Sequence, residues 1–230
     1  MIRRLVAVPL LLAIFVFAFF ALDDFATLYN DFGRVYFQEN GFYETGSLNL
    51  VTGIYLDYRL FDTLFEAGIL LVAVTGVSWI AQHEHVEHNP LFMLDRFKIP
   101  ELFVSFARII YPVVLLFGIY VVFNGHLAPG GGFQGGSILA TALLILYYID
   151  LNKKTNLAQL FFIEKILYLI LLSVSIVSYF TRGELFTNVV GPEAGTLWQS
   201  AFLITLNVLI GAKVALGLTA IFIAFLKEGR

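Results

Sequence analysis

Apolar residues in this chain run in long unbroken stretches, and polar residues gather between the stretches rather than alternating along them. Six runs stand out, at 5–22, 63–81, 107–125, 133–149, 160–180 and 201–226. Each is near the roughly 20 residues an α-helix needs to cross about 30 Å of hydrocarbon. The pattern predicts an all-α, polytopic integral membrane protein with about six transmembrane helices. The run at 5–22 follows Arg3 and Arg4 as a signal peptide would. It is followed by Leu22-Asp23-Asp24-Phe25, with no small-x-small cleavage site, and is therefore read as a helix.

The polar segments set orientation and layout. With a cytoplasmic N-terminus, Arg3, Arg4, Arg96, Lys98, Arg108, Lys153, Lys154, Lys227 and Arg230 fall inside. Arg34 and Arg182 fall outside, and Arg59 just precedes the second helix. That bias places both termini in the cytoplasm, in the inner membrane. A long outer segment rich in aromatics, Asp and Asn joins the first two helices. An inner polar stretch holding Pro90 and Pro100 then separates residues 1–90 from 107–230, with 91–106 as a linker.

Composition agrees and excludes several classes. The chain is 59% apolar and 13% charged, with a mean hydropathy of +0.85, too greasy for a soluble domain. A net charge of −3 points to no nucleic-acid partner. With no cysteine there are no disulfides, thiolate zinc sites, cysteine-ligated iron–sulfur clusters or cysteine nucleophile. No cofactor is expected in this chain.

Candidate chemistry lies where permissive backbone or charge interrupts the apolar runs. The run His126-Leu127-Ala128-Pro129-Gly130-Gly131-Gly132-Phe133-Gln134-Gly135-Gly136 joins the third and fourth helices. Its glycines permit a sharp turn and close helix approach. Lys213 stands near the middle of the last helix, where a charge costs roughly 2.5–3.5 kcal/mol. Its helical neighbours, Leu206, Leu209, Ile210, Leu216, Gly217 and Ala220, offer no anion. The partner must come from another helix, another subunit or water. Arg59, Asp62 and Glu66 fall on one stripe of a continuous helix, with Asp62 placed to pair Arg59 and Glu66 entering the membrane. Glu164 and Lys165 sit early in the fifth helix, near the inner surface, and need not pair with each other.

Two signals are set aside. Gly130-x-Gly132-x-x-Gly135 matches a dinucleotide fingerprint, but no strand precedes it. His83-Glu84-His85-Val86-Glu87-His88 lacks the His-Glu-x-x-His spacing and reads as a solvated loop, so no metal site is assigned.

Two stretches carry a family resemblance. His126-x-x-Pro129-Gly-Gly-Gly-Phe133-Gln134-Gly-Gly136, with Leu206-Asn207-Val208-Leu209-Ile210-Gly211-Ala212-Lys213-Val214, resembles the B-type member of Mrp-type multisubunit sodium/proton antiporters. Glu44-Thr45-Gly46, Asn49-Leu50-Val51-Thr52 and Asp57-Tyr58-Arg59-x-x-Asp62-Thr63-Leu64-Phe65-Glu66 resemble the C-terminal membrane segment of the large A-type member. They are also similar to the small separate protein that corresponds to it in archaeal-type membrane-bound hydrogenases. Phe65 stands where the family usually has Gly. The chain thus looks like a fusion of two neighbouring subunits.

The resemblance implies a non-enzymatic transport subunit of a complex that exchanges Na+ for H+. Its partners would be A-, C-, D-, E-, F- and G-type antiporter subunits and membrane lipids. Hydrogenase-like or sulfane-reductase-like electron-transfer subunits would join them where the complex is driven by electron transfer. It further implies that Arg59, Glu66 and Lys213 occupy positions linked to transport. Asp62 and Glu164 complete the candidate ion path. The alternative is a scaffold subunit whose charges form static ion pairs.

Overall fold

The structure is a computed structural model, and it describes residues 12–13, 15–17, 19–20, 31–83, 101–149, 156–191 and 195–228. The described positions between 12 and 20 are helical; the rest of the predicted first span lies outside the described residues. Seven α-helices follow: α1 (Phe32–Thr45), α2 (Leu50–Gly53), α3 (Leu60–His83), α4 (Glu101–Phe123), α5 (Gly132–Ile149), α6 (Leu157–Arg182) and α7 (Thr196–Glu228). A π-helical segment, Ile54–Tyr58, joins α2 to α3. Among the described residues, five helices, α3 to α7, are long and apolar enough to cross a membrane.

The chain divides into two compact units, Met1–Glu39 and Asn40–Arg230. In the second, α7 is the central rod. Its 33 residues make a helix about 50 Å long, and it packs against α3, α4, α5 and α6. Leu203, Leu206 and Ile210 of α7 are fully buried against Leu56, Leu60 and Leu171. A smaller cluster of Val74, Phe161 and Ala220 closes the far end of that interface. Outward positions are apolar as well: Ile109, Val113, Leu116 and Phe117 of α4 are all exposed. A bundle that is apolar both inside and out suits surroundings of lipid and neighbouring membrane subunits.

Hydrocarbon gives no hydrophobic push between helices, so packing must come from close backbone approach. The glycines supply it. A Cβ on Gly136 would stand 2.8 Å from the carbonyl oxygen of Gly211, and one on Gly135 would stand 2.9 Å from the amide nitrogen of Val122. Helix α5 is thereby wedged between α4 and α7.

Helix ends follow local chemistry. Asn49 and Asn156 cap α2 and α6 through side-chain oxygens that accept from Val51 N and Gln159 N. Gly183 ends α6 at φ +74°, in the left-handed region that glycine enters without cost.

Candidate functional site

The deepest charges form one pair. Lys213 Nζ lies 2.7 Å from Glu164 Oε1, and both side chains are 0% exposed. Helices α6 and α7 are consecutive, joined through residues 183–195, and run antiparallel. Glu164 stands 18 residues before the end of α6 (182 − 164) and Lys213 stands 17 after the start of α7 (213 − 196). The two therefore reach the same depth, about 26 Å along the helices from that loop.

The surroundings are shaped for the glutamate. Gly217, one turn beyond Lys213, would carry a Cβ in van der Waals contact with Glu164 Cγ at 3.6 Å and crowded against Val74 Cγ2 at 3.1 Å, so the carboxylate packs directly on this turn of α7. The Tyr168 ring lies 5.8 Å from the ammonium, close enough for a cation–π attraction. The Tyr168 hydroxyl donates to Leu64 O of α3 at 3.4 Å. Although the pair is in contact, neither the ammonium nor either Glu164 oxygen makes an aligned hydrogen bond among the described residues. Charges held at low dielectric without full hydrogen bonding are costly groups, and in membrane proteins such groups mark ion and proton paths.

The second group differs from the expectation of one continuous stripe. Helix α3 begins at Leu60, and Arg59 sits at a break, with φ −126° and ψ 31°, where the π segment ends. The π segment turns on i→i+5 bonds such as Arg59 N to Ile54 O, so helical spacing cannot be extended back through it. Arg59 and Asp62 still pair, Nε to Oδ2 at 2.6 Å, on the exposed surface. Glu66 is exposed one turn further along and makes no hydrogen bond or ion pair among the described residues. Burial raises the Tyr55 hydroxyl above its ordinary value; Thr52 and the Gly132 backbone lower it, and the charge of Glu66 adds the smallest contribution, a rise.

The glycine loop is the meeting point of the two halves. Ser47 Oγ donates to His126 O at 2.9 Å and Asn49 N donates to the same oxygen at 3.0 Å. Asn49 Nδ2 reaches Gly125 O at 2.8 Å and Ala128 O at 3.0 Å. Thr52 Oγ1 donates to Gly125 O at 2.7 Å. The carbonyls of Gly125, His126 and Ala128 thus accept from donors in residues 47–52 of this chain. On the other side, Asn207 Oδ1 of α7 accepts from Gly132 N at 2.8 Å and from Tyr55 OH at 2.7 Å.

Gly131, at φ +147°, has no space for a Cβ beside Tyr55 OH. Pro129 is exposed, Gly130 packs on Val121, Phe133 lies partly buried on the core, and Gln134 is exposed. His126 is buried with Nδ1 unpartnered, and burial lowers its imidazole below the ordinary value.

Asn49→Ala removes three side-chain bonds at once and leaves Ala128 O without its donor, while Gly125 O keeps that of Thr52. A net loss of about 2–3 kcal/mol is expected, read as an earlier thermal transition of the purified assembly in detergent. A transition unchanged from wild type would mean that this contact does not hold the halves together.

Sequence reasoning missed Asp57. It is the carboxylate of the loop end that folding buries, at 8% exposure, while Asp62 stays in the open. The histidine segment starting at His83 falls almost wholly outside the described residues. Among the described residues no group of three or more His, Cys, Asp or Glu could hold a metal ion.

Residues 102–220 match the family model of a domain related to the MnhB subunit of Na+/H+ antiporters. An uncharacterized protein of Methanocaldococcus jannaschii is 34% identical over 114 residues, 42% of each chain. The B-type Na+/H+ antiporter subunit of Alkalihalophilus pseudofirmus is 44% identical over 43 residues, 19% of this chain and 30% of that one. The chain therefore spans less than half the length of these relatives. A chain in the structure of the membrane-bound sulfane sulfur reductase, an archaeal respiratory membrane complex, superposes with a TM-score of 0.70 at 26% identity. The match covers 98% of this chain and 99% of that one. A chain of the Mrp complex from Dietzia sp. shares the fold with a TM-score of 0.64 at 23% identity, over 95% of this chain and 26% of that one.

Proposed function

Because the chain belongs to the family of domains related to the MnhB subunit of Na+/H+ antiporters, we propose that it is a transport subunit of an Mrp-type sodium/proton antiporter module. It contributes to the translocation of cations and protons and has no redox centre of its own. The observation that carries this reading is the Glu164–Lys213 pair, two fully buried charges at 2.7 Å between membrane helices. Holding them there is costly, and an ion path gives that cost a purpose.

In this reading Glu66, with Arg59 and Asp62, receives ions at the loop end. The deep pair then responds to the charge that passes. The transported species are Na+ and H+. The partners are A-, C-, D-, E-, F- and G-type subunits, with an electron-transfer arm in complexes of the sulfane-reductase kind. Residues 1–90 supply the A-type part and 107–230 the B-type part of a fused subunit. Both termini face the cytoplasm in the inner membrane.

The saturated bonding between residues 47–52 and the glycine loop favours a second reading, a scaffold that only seals and orients the antiporter core. Glu66→Gln separates the two. In vesicles holding the whole complex, sodium/proton exchange is expected to fall sharply while the subunit composition stays intact. Full exchange in that variant, with the complex intact, would favour the scaffold reading.

A further inference from the structure

At the loop end of the bundle, where α3 and α7 begin and α6 stops, lies a buried polar network that the ion-path residues do not use. Asp57 is its carboxylate. Its Oδ1 accepts 2.9 Å from the backbone amide of Asn188, a neutral donor. Asn188 is fully buried and donates through Nδ2 to Gln199 O at 3.2 Å. Gln199, also fully buried, donates through Nε2 to Glu44 O at 2.7 Å. Tyr58 OH donates to the Glu44 carboxylate.

Two more buried oxygens in this network, Gln199 Oε1 and Thr187 Oγ1, have no hydrogen-bond partner among the described residues. The segment carrying Thr187 and Asn188 is held by Phe186 at φ +60°, a conformation that costs a side-chain-bearing residue roughly 1–2 kcal/mol. A backbone N–H thus stands against Asp57, and among the described residues no cation pairs with it directly; Arg182 donates instead to Asn188 O at 3.3 Å. A buried carboxylate among oxygens short of donors is a group that binds a proton.

We propose that Asp57 is a proton-loading carboxyl at the glycine-loop end of the bundle, taking up and releasing one proton as the complex exchanges ions. The proposal rests on the transport reading above and adds a site to it. No covalent step is involved: the proton moves between water and one Asp57 oxygen, and the 8% of the residue still exposed gives water access.

The charges facing Asp57 set the direction in which it tunes. Burial comes first in raising the carboxyl above its ordinary value; the Asn188 amide and Arg182 lower it, and Glu44 and Glu184 raise it. Glu44 belongs to α1, Arg182 ends α6, and Glu184 follows in the loop; the neighbouring residues of α7 are neutral. Removing the Arg182 charge must therefore shift the titration to higher pH, and removing that of Glu184 must shift it lower. Arg182 and Glu184 are both exposed, so salt shrinks both shifts.

The test is an infrared pH titration of the protonated-carboxyl band of the intact complex in detergent, at low salt. Wild type is expected to show a titrating band that Asp57→Asn loses. Its midpoint should move up in Arg182→Gln and down in Glu184→Gln. A band unchanged by Asp57→Asn, or midpoints unmoved in both surface variants, would overturn the proposal. If Asp57→Asn does not assemble, the two surface variants decide alone, because they leave the carboxyl in place. The band is read without transport, so its absence counts against Asp57 only, whereas loss of the transport reading is scored by exchange in Glu66→Gln.

Discussion

Lys213→Met is expected to destabilise the protein by about 3–5 kcal/mol, the cost of leaving a buried charge without its partner. Glu164 is 0% exposed, and its Oε2 already lacks a hydrogen bond among the described residues. Methionine fills the volume of the lysine stem but brings no cation, so the buried carboxylate is left without its ion-pair partner. Adding Glu164→Gln to Lys213→Met should recover most of the loss, because the double variant keeps the shape and removes both charges. Thermal unfolding of the purified complex measures both. A single variant as stable as wild type would mean that the pair is not closed in the membrane.

The second large effect belongs to a glycine. Gly132→Val should part α5 from α7, since a Cβ there would stand 2.7 Å from Asn207 O and 2.8 Å from Ile210 Cβ. Backbone cannot rotate aside as a side chain does, so the loss should reach or exceed the upper end of the roughly 1–3 kcal/mol typical of overpacking. The shift also breaks the bond from Gly132 N to Asn207 Oδ1 and with it the seat of Tyr55. Gly76→Ala is the matched control. A Cβ there meets nothing within 4 Å, and it should stabilise α3 by about 0.5–1 kcal/mol. Equal melting temperatures for the two variants would remove the packing role assigned to Gly132.

The transmembrane helices within the described residues were legible because each apolar run is long enough to cross a bilayer; their ends were less so. Taking the last two spans as 160–180 and 201–226 sets Glu164 16 residues before one end (180 − 164) and Lys213 12 after the other (213 − 201). That offset is about one helical turn, enough to hide a pair that the true ends, Arg182 and Thr196, bring level. The break at Arg59 was hidden for another reason: a π turn has no periodicity signal of its own in a segment so short.

Contacts between the halves join residues more than 70 positions apart, such as Thr52 with Gly125, and no local rule reaches that far. Asp57 was passed over because it precedes the apolar run. What buries it is the distant segment around Asn188.

Sodium/proton exchange by vesicles holding the complete complex with Glu164→Gln and Lys213→Met together tests the central claim most directly. The account predicts full assembly with exchange lost, because the bundle keeps its shape while the deep charges are gone. Full assembly with exchange at the wild-type rate would contradict it and leave the chain a scaffold.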